Sequence, residues 1–387
     1  MNVSWTRRWP IALAVLAALL LGVSGCAGGT RASSWTGLTI VEESLYAADL
    51  QQVVALDTAD GSPLWAFPEN LPGNTRWGFP ADLDQEKCGL FYVTPAVGEG
   101  RVIVASQVPG GSLGGQPKNI VWGLDPDTGQ FWHFDGATGQ YIEGGAISAG
   151  VFVIGNGDGY VYALDVESGA LEWVFETGHR VWATPLIISD TVYIGSMDRH
   201  LYALDLSTGE EHWSFQAEGA FAGTPALWND ILFIGAFDDR FYAIDAHTGT
   251  EHWRFAGENW FWGSPVIYDD TVYAVDVDGN VYAIDAETGE QVWHQALDAQ
   301  VRAGLTLTED GSQLFINSQK NGTLYALDTA DGFVIWSQAS EGQALSTPVV
   351  SGEMVYQALV YGPQHVLARH VDNGRAMWAY PPVQDQE

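Results

Sequence analysis

The chain has 387 residues and a formal net charge of −33, so it would repel a phosphate backbone, and nucleic-acid binding is excluded on electrostatic grounds. Apolar residues make up 47% of it, with 17 Trp and 45 Gly, which excludes a disordered chain outside the ends and points to a large core with many turns. The same acidity attracts cationic partners or divalent ions, and it equally serves solubility or a salt-rich habitat.

Residues 1–25 read as a secretory signal peptide. Arg7 and Arg8 form its positive start, and 11–21 (IALAVLAALLL) is an apolar run too short to span a bilayer comfortably. The run leads into Val23-Ser24-Gly25-Cys26, which resembles the bacterial lipobox. That resemblance implies acylation of Cys26, with each buried methylene adding about 0.8 kcal/mol to membrane binding. Residues 26–34 then form a lipidated, Gly-rich, flexible tether. Cys88 is the only thiol left, so no intramolecular disulfide forms and the fold stands on packing alone.

Further along, one text recurs. It reads VYALDVESGALEW at 161–173, LYALDLSTGEEHW at 201–213, FYAIDAHTGTEHW at 241–253 and VYAIDAETGEQVW at 281–293, forty residues apart each time. Degenerate copies stand at 54–65 (VALDTADGSPLW), 325–336 (YALDTADGFVIW) and 367–378 (LARHVDNGRAMW, with His370 in place of the Asp). An eighth runs from Leu124 through Asp125 and Gly129 to Trp132. Its Trp arrives one residue early, which predicts either a contracted hairpin or a shifted Trp. The Trp series is thus Trp65, Trp132, Trp173, Trp213, Trp253, Trp293, Trp336 and Trp378. A period of this length means a solenoid, a propeller or an array.

Each unit reads as four short strands. In 181–215 they are predicted at 182–188, 191–196, 200–205 and 210–215, separated by Asp, Gly and Ser turns. Four strands every forty residues predict an all-β, eight-bladed β-propeller of four-stranded antiparallel blades over 35–380, with a tail at 381–387. The motif has a physical logic. Gly169, Gly209, Gly249 and Gly289 supply a positive φ. Asp165, Asp205, Asp245 and Asp285 accept backbone N–H groups within the turn. Trp173, Trp213, Trp253 and Trp293 cross to the neighbouring blade as apolar staples with one N–H donor each.

The pattern Ala-x-Asp-x-x-x-Gly-x-x-x-Trp resembles the tryptophan-docking repeat of the quinoprotein, or PQQ-type, propellers. A lipidated stand-alone propeller further resembles the BamB-like lipoprotein family, scaffolds of outer-membrane β-barrel assembly. Two departures stand out. The first and last blades each look complete, so ring closure rests on Trp docking and side-chain packing. An insertion at 68–90 precedes the second blade, and a second long turn (107–119) lies within it. Loops that long are functional or act as covers.

Strand direction places the blade-entry loops and both long segments on one face, and the Asp-x-x-x-Gly turns on the other. Arg180, Trp182, Phe221, Trp260, Trp262 and Arg302 open consecutive blades on the first face. They form either a partner-binding surface over the channel mouth or a plug that belongs to the core; aromatic and Arg side chains are favoured anchors. Three other constellations do not carry chemistry. Asp276 to Asn280 lacks the spacing and terminal Glu of a calcium loop, His212 and His252 have no paired ligand, and neither a phosphate loop nor a nucleophile elbow occurs.

Two functions follow. The first is a non-catalytic, membrane-anchored, monomeric scaffold that engages envelope proteins or polymers, with no cofactor, metal or catalytic residue. The second, implied by the quinoprotein resemblance, is a dehydrogenase using pyrroloquinoline quinone with calcium. Such enzymes are usually longer, and the alcohol-oxidising ones carry an adjacent Cys-Cys pair that this chain lacks.

Overall fold

A computed structural model describes residues 37–68, 88–110 and 116–382. The signal peptide, Cys26, the tether, most of the 68–90 insertion, 111–115 of the second long turn and the last five residues lie outside them. The described chain makes eight antiparallel sheets, each meandering outward from the ring axis. We number them blades 1 to 8: 38–67, 90–134, 146–176, 186–216, 226–256, 266–296, 305–338 and 349–380.

Blade 4 shows the plan. Its strands are Leu186–Ile188, Thr191–Gly195, His200–Asp205 and Glu211–Gln216. The inner strand is shorter than the predicted 182–188 because 181–185 leave the ladder and run along the channel wall. The second and third strands are almost wholly buried, whereas the outer strand alternates toward solvent. This follows from two-sided packing: successive side chains point to opposite faces, and both faces of an inner strand meet a neighbouring blade. Val161 and Ala163 of blade 3 pack on Val192, Ile194 and Tyr202 of blade 4. Tyr162 and Leu164, one residue out of phase, pack toward blade 2. The core is therefore a set of inter-blade layers.

The recurring motif locks those layers together. Asp205 Oδ1 accepts from the N–H groups of Ser207 and Thr208 at 2.9 and 2.8 Å, and the Gly209 N–H closes the turn on the Asp205 carbonyl. Gly209 has φ +71°, and a methyl group built on it would lie 2.6 Å from the Trp173 ring of blade 3. So the glycine serves twice, as a left-handed residue and as the floor on which the previous blade's indole rests. Trp173 Nε1 donates to the Leu206 carbonyl at 2.8 Å. The same indole-to-turn bond joins Trp132 to Val166, Trp213 to Ala246, Trp253 to Ala286, Trp293 to Thr329 and Trp336 to Val371.

Ring closure uses this device too. Trp378 Nε1 donates to the Thr58 carbonyl at 3.0 Å, and the Tyr356 hydroxyl reaches the same oxygen at 3.1 Å. Blade 1 and blade 8 each contain all four of their own strands, so no strand is exchanged across the seam. His365 beside Asp49 at 2.5 Å and Gln52 beside the Tyr380 hydroxyl at 3.1 Å complete it.

Blade 2 departs from the pattern in two ways. Its inner layer comes in two pieces, Leu90–Phe91 and Ala96–Gly98, both paired with Arg101–Val108. Its outer hairpin pairs Gly123 with Trp132 and Leu124 with Phe131 in continuous register, whereas every other blade has a bulge there, as between Ala163 and Leu164. The early Trp132 is thus a contracted hairpin with the bulge residue deleted, and its indole still reaches the next blade.

Candidate functional site at the channel mouth

The loops entering the blades and those between second and third strands meet at one end of the channel, as their mutual bonds show: Met197 N–H to the Arg180 carbonyl, Phe237 N–H to Ala220 and Val277 N–H to Trp260. A second Asp series, not anticipated from the sequence, fixes this end. Asp158, Asp198 and Asp238 each accept the hydroxyl of the tyrosine four residues on, at 2.9, 2.8 and 2.7 Å. Each also accepts a backbone N–H from the entry loop beside it, Thr138, Gly178 and Glu218 respectively. Burial, followed by the Asp partner, raises the Tyr162, Tyr202 and Tyr242 hydroxyls well above their ordinary range. They therefore stay protonated donors at any physiological pH. The signal was in the sequence, as an Asp-x-x-x-Tyr spacing just before each docking motif.

Blade 6 breaks this rule, and the break positions an aromatic side chain. There a fully buried Asp276 takes the Tyr282 hydroxyl at 3.1 Å and is further held by Asn280 N–H and Nδ2. Asp278, left without the tyrosine, instead accepts from Asn259 Nδ2 at 2.7 Å, and Asn259 Oδ1 in turn takes the Trp260 N–H at 2.8 Å. The segment that looked like the opening of a calcium loop is a hairpin turn whose carboxylates are occupied by protein donors.

Trp260 is thereby held out at 47% exposure, with its ring stacked on Phe237 at 5.2 Å and 13°. Phe237 also meets Trp262 at 5.0 Å, and Trp262 stacks on Trp182 at 5.9 Å. The Arg302 guanidinium lies over the Trp262 ring at 5.2 Å, close enough for a cation–π attraction. Four aromatic rings and one cation from four loops thus form one continuous patch. Trp262 also packs with Ile142 against Leu345 and Val360, so part of the patch roofs the channel.

Of the six residues expected on this face, the structure joins Trp182, Trp260, Trp262 and Arg302. Arg180 is exposed on the same face, with no place in the stack. Phe221 is corrected: it is fully buried among Leu232, Ile234 and Tyr242, its ring against Phe215 and Tyr242. It sits one position before the mouth-facing column, which alternation along an extended segment turns inward. Phe237, in a loop between second and third strands, was missed because it lies outside the entry loops.

Below the patch the channel holds a cavity of about 490 Å³ to which all eight blades contribute. Thr94, Thr184, Thr224 and Thr347 line it, and among the described residues its charged lining is Glu143 and Arg302. His212 and His252 stand apart on outer strands, each near its own turn Asp, Asp205 and Asp245. Among the described residues no group of three or more His, Cys, Asp or Glu is placed to hold a metal ion.

Comparison with known proteins agrees with this architecture. A PQQ-repeat family model described as "Outer membrane protein assembly factor BamB" matches residues 117–222, 218–307 and 277–386. The crystal structure of BamB from Moraxella catarrhalis superposes with a TM-score of 0.68 at 19% identity, covering 86% of this chain and 94% of that one. The computationally designed Ika8 protein superposes with a TM-score of 0.69 at 15% identity, covering 87% and 96%. At such identities the likeness concerns the fold alone. No curated protein matches the sequence.

Proposed function

The chain belongs to the PQQ-repeat propeller family described as outer membrane protein assembly factor BamB, and from that premise we propose that it is a non-catalytic, envelope-associated scaffold. It is anchored by lipid at Cys26 and engages envelope proteins through its channel mouth. One observation carries the reading. The stack of Trp182, Trp262, Phe237 and Trp260, with Arg302 over it, is a rigid and partly solvated aromatic surface. Large rings and Arg with little left to order are what an interface anchor needs. On the opposite face the Asp, Gly and Trp residues of the motif are used by the turns and blade contacts.

The quinone alternative fits poorly. Pyrroloquinoline quinone is a planar tricarboxylate, and its calcium needs several carboxylate and amide oxygens. Among the described residues the channel instead presents one carboxyl, Glu143, which would face the cofactor's carboxylates, and one cation, Arg302, which lies over Trp262. No catalytic step is assigned on that basis.

A photo-crosslinker placed at residue 260 tests the scaffold reading, with the exposed turn residue Ser207 on the opposite face as its control. In intact cells, position 260 should capture an envelope protein, position 207 should not, and Arg302→Ala should weaken the capture. Equal capture from both positions would overturn the choice of face, and dehydrogenase activity with added quinone and calcium would overturn the non-catalytic role. Cys26→Ser should release the protein from membranes.

A further inference from the structure

The outer edge of the ring is uneven. In a chain with 48 Asp and Glu, the outer strands of blades 3, 4 and 5 each carry a glutamate, and those of blades 2 and 6 a histidine. Three consecutive blades differ. The outer strands of blade 7 (Val334–Gln338, VIWSQ), blade 8 (Ala376–Tyr380, AMWAY) and blade 1 (Pro63–Phe67, PLWAF) contain neither a charge nor a histidine. Their starts are apolar and solvated: Phe333 is 68% exposed, and Val334, Ile335, Met377 and Leu64 are exposed too. The repeat makes no such demand. The position of Phe333 holds Glu210, Thr250 and Glu290 in blades 4 to 6, and that of Ile335 holds Glu172, His212 and His252 in blades 3 to 5. Blade 3 also exposes Leu171 and Val174, but Glu172 and Glu176 stand among them. Large apolar side chains left in water over adjoining blades mark an interaction surface.

We propose that this sector of the rim, blades 7, 8 and 1, rests on a lipid bilayer. Placement of the membrane follows from the Cys26 anchor proposed above, and so rests on that reading. Cys26 stands eleven positions before Gly37, where the described chain enters blade 1, and a chain of that length reaches at most roughly 36–40 Å. The outer strand of blade 1 is three strand spacings, about 14 Å, from the first strand of that blade. An acyl chain on Cys26 and the apolar sector can therefore meet one membrane, whereas blades 3 to 5 and their glutamates lie across the ring.

Charge selects the kind of lipid. Arg375 is exposed just before the outer strand of blade 8, with its guanidinium against the Met377 sulfur at 3.5 Å. It can meet a headgroup phosphate while its stem lies on the apolar surface. The exposed turn carboxylates Asp331 and Asp372 border the same sector and repel anionic headgroups. A zwitterionic bilayer suits both, and the strength of such a contact scales with the apolar area inserted. A ring seated on its edge keeps the channel mouth clear of the lipid and open to a protein partner.

The test is fluorescence quenching on phosphatidylcholine vesicles. A hexahistidine segment replaces residues 1–26 and holds the otherwise complete chain on a nickel-chelating lipid, so the readout does not depend on acylation. Phe333→Cys, Met377→Cys and, across the ring, His212→Cys each carry an environment-sensitive fluorophore, while the buried Cys88 stays unlabelled. Nitroxide-labelled lipid should quench the label at 333 and at 377 about threefold or more beyond that at 212, and phosphatidylglycerol mixed into the vesicles should weaken the effect. Adding Phe333→Ser and Ile335→Ser should lower the quenching at 377 to a similar degree and leave the melting temperature unchanged. Equal quenching at all three positions, or quenching at 377 that ignores the two serines, would overturn the membrane contact. So would a dimer in solution that Phe333→Ser dissolves while the vesicle-bound protein shows no quenching, since the surface would then belong to a second copy. Quenching at 333 and 377, together with full-length Cys26→Ser that stays on cell membranes, would keep the rim contact and remove the acyl anchor.

Discussion

The two faces of the ring are built from the same strands and obey different rules. On the turn face the chemistry repeats. Seven indoles reach the carbonyls of seven neighbouring turns, and a glycine floor lies beneath each. On the mouth face the frame repeats, through Asp158, Asp198 and Asp238, but the side chains mounted on it do not: Ile142, Trp182, Ala222, Trp262, Arg302 and Leu345 occupy one column of the repeat. The difference teaches where selection for stability ends. A residue found in every blade serves the contact between blades. A residue found in one blade is free of that duty, and its chemistry is available for a ligand or a partner.

Breaking the turn face should give the largest effect. Trp173 is buried and bridges blades 3 and 4. Trp173→Ala should cost about 3–5 kcal/mol, the range for a large aromatic removed from a core, read from urea unfolding. Next comes Gly209→Ala, which asks a Cβ to adopt φ +71° and to enter the space of the Trp173 ring. About 1–3 kcal/mol should be lost through overpacking. If the double variant Trp173→Ala/Gly209→Ala costs much less than the sum, the glycine's role as floor for the indole is established by coupling. A simple sum would reduce it to backbone strain.

A smaller effect distinguishes the closing seam from the ordinary turns. The Asp49 carboxylate holds His365 above its ordinary value, against the burial that would lower it. A histidine raised in the folded state adds stability that is fully present below about 6.5 and is lost as pH rises through its folded value. The turn carboxylates behave oppositely. The Thr288 hydroxyl, with its backbone N–H, holds Asp285 below the usual range, so that contribution is lost only as the solution becomes strongly acidic. Melting temperature followed from pH 5 to 9 should show a decline above neutrality that His365→Phe abolishes. A decline that persists in the variant would place the sensitive group elsewhere.

What was legible in the sequence follows the same division. Asp205, Gly209 and Trp213 could be read because local turn chemistry and a long period reinforce one another. Even the early Trp132 flagged an irregular hairpin, contracted or with a shifted Trp, and the structure has the contracted one. The mouth was half legible. Trp260 and Trp262 could be placed on the right face from strand direction alone, but Phe221 could not be turned inward, because its burial depends on Phe215 of the preceding blade as well as on Tyr242 of its own. Phe237 was overlooked for a related reason. It is an ordinary residue in a loop until the ring brings Trp260 and Trp262 beside it.

The smallest expected effect is the most informative about that division. Trp260→Ala removes a large ring, yet the ring is half exposed, rests on Phe237 and bonds to no turn of a neighbouring blade. If the mouth is free of structural duty, Trp260→Ala and Arg302→Ala should each change unfolding stability by no more than about 0.5 kcal/mol, as surface substitutions do. Both should nevertheless reduce capture of an envelope partner. Trp262→Ala should fall between the two faces, because its ring both supports Arg302 and packs on Leu345 and Val360 above the channel. A loss at Trp260 comparable to that at Trp173 would mean that the exposed stack is part of the ring's framework, and the contrast between a repeating structural face and a free mouth would fail at its most exposed residue.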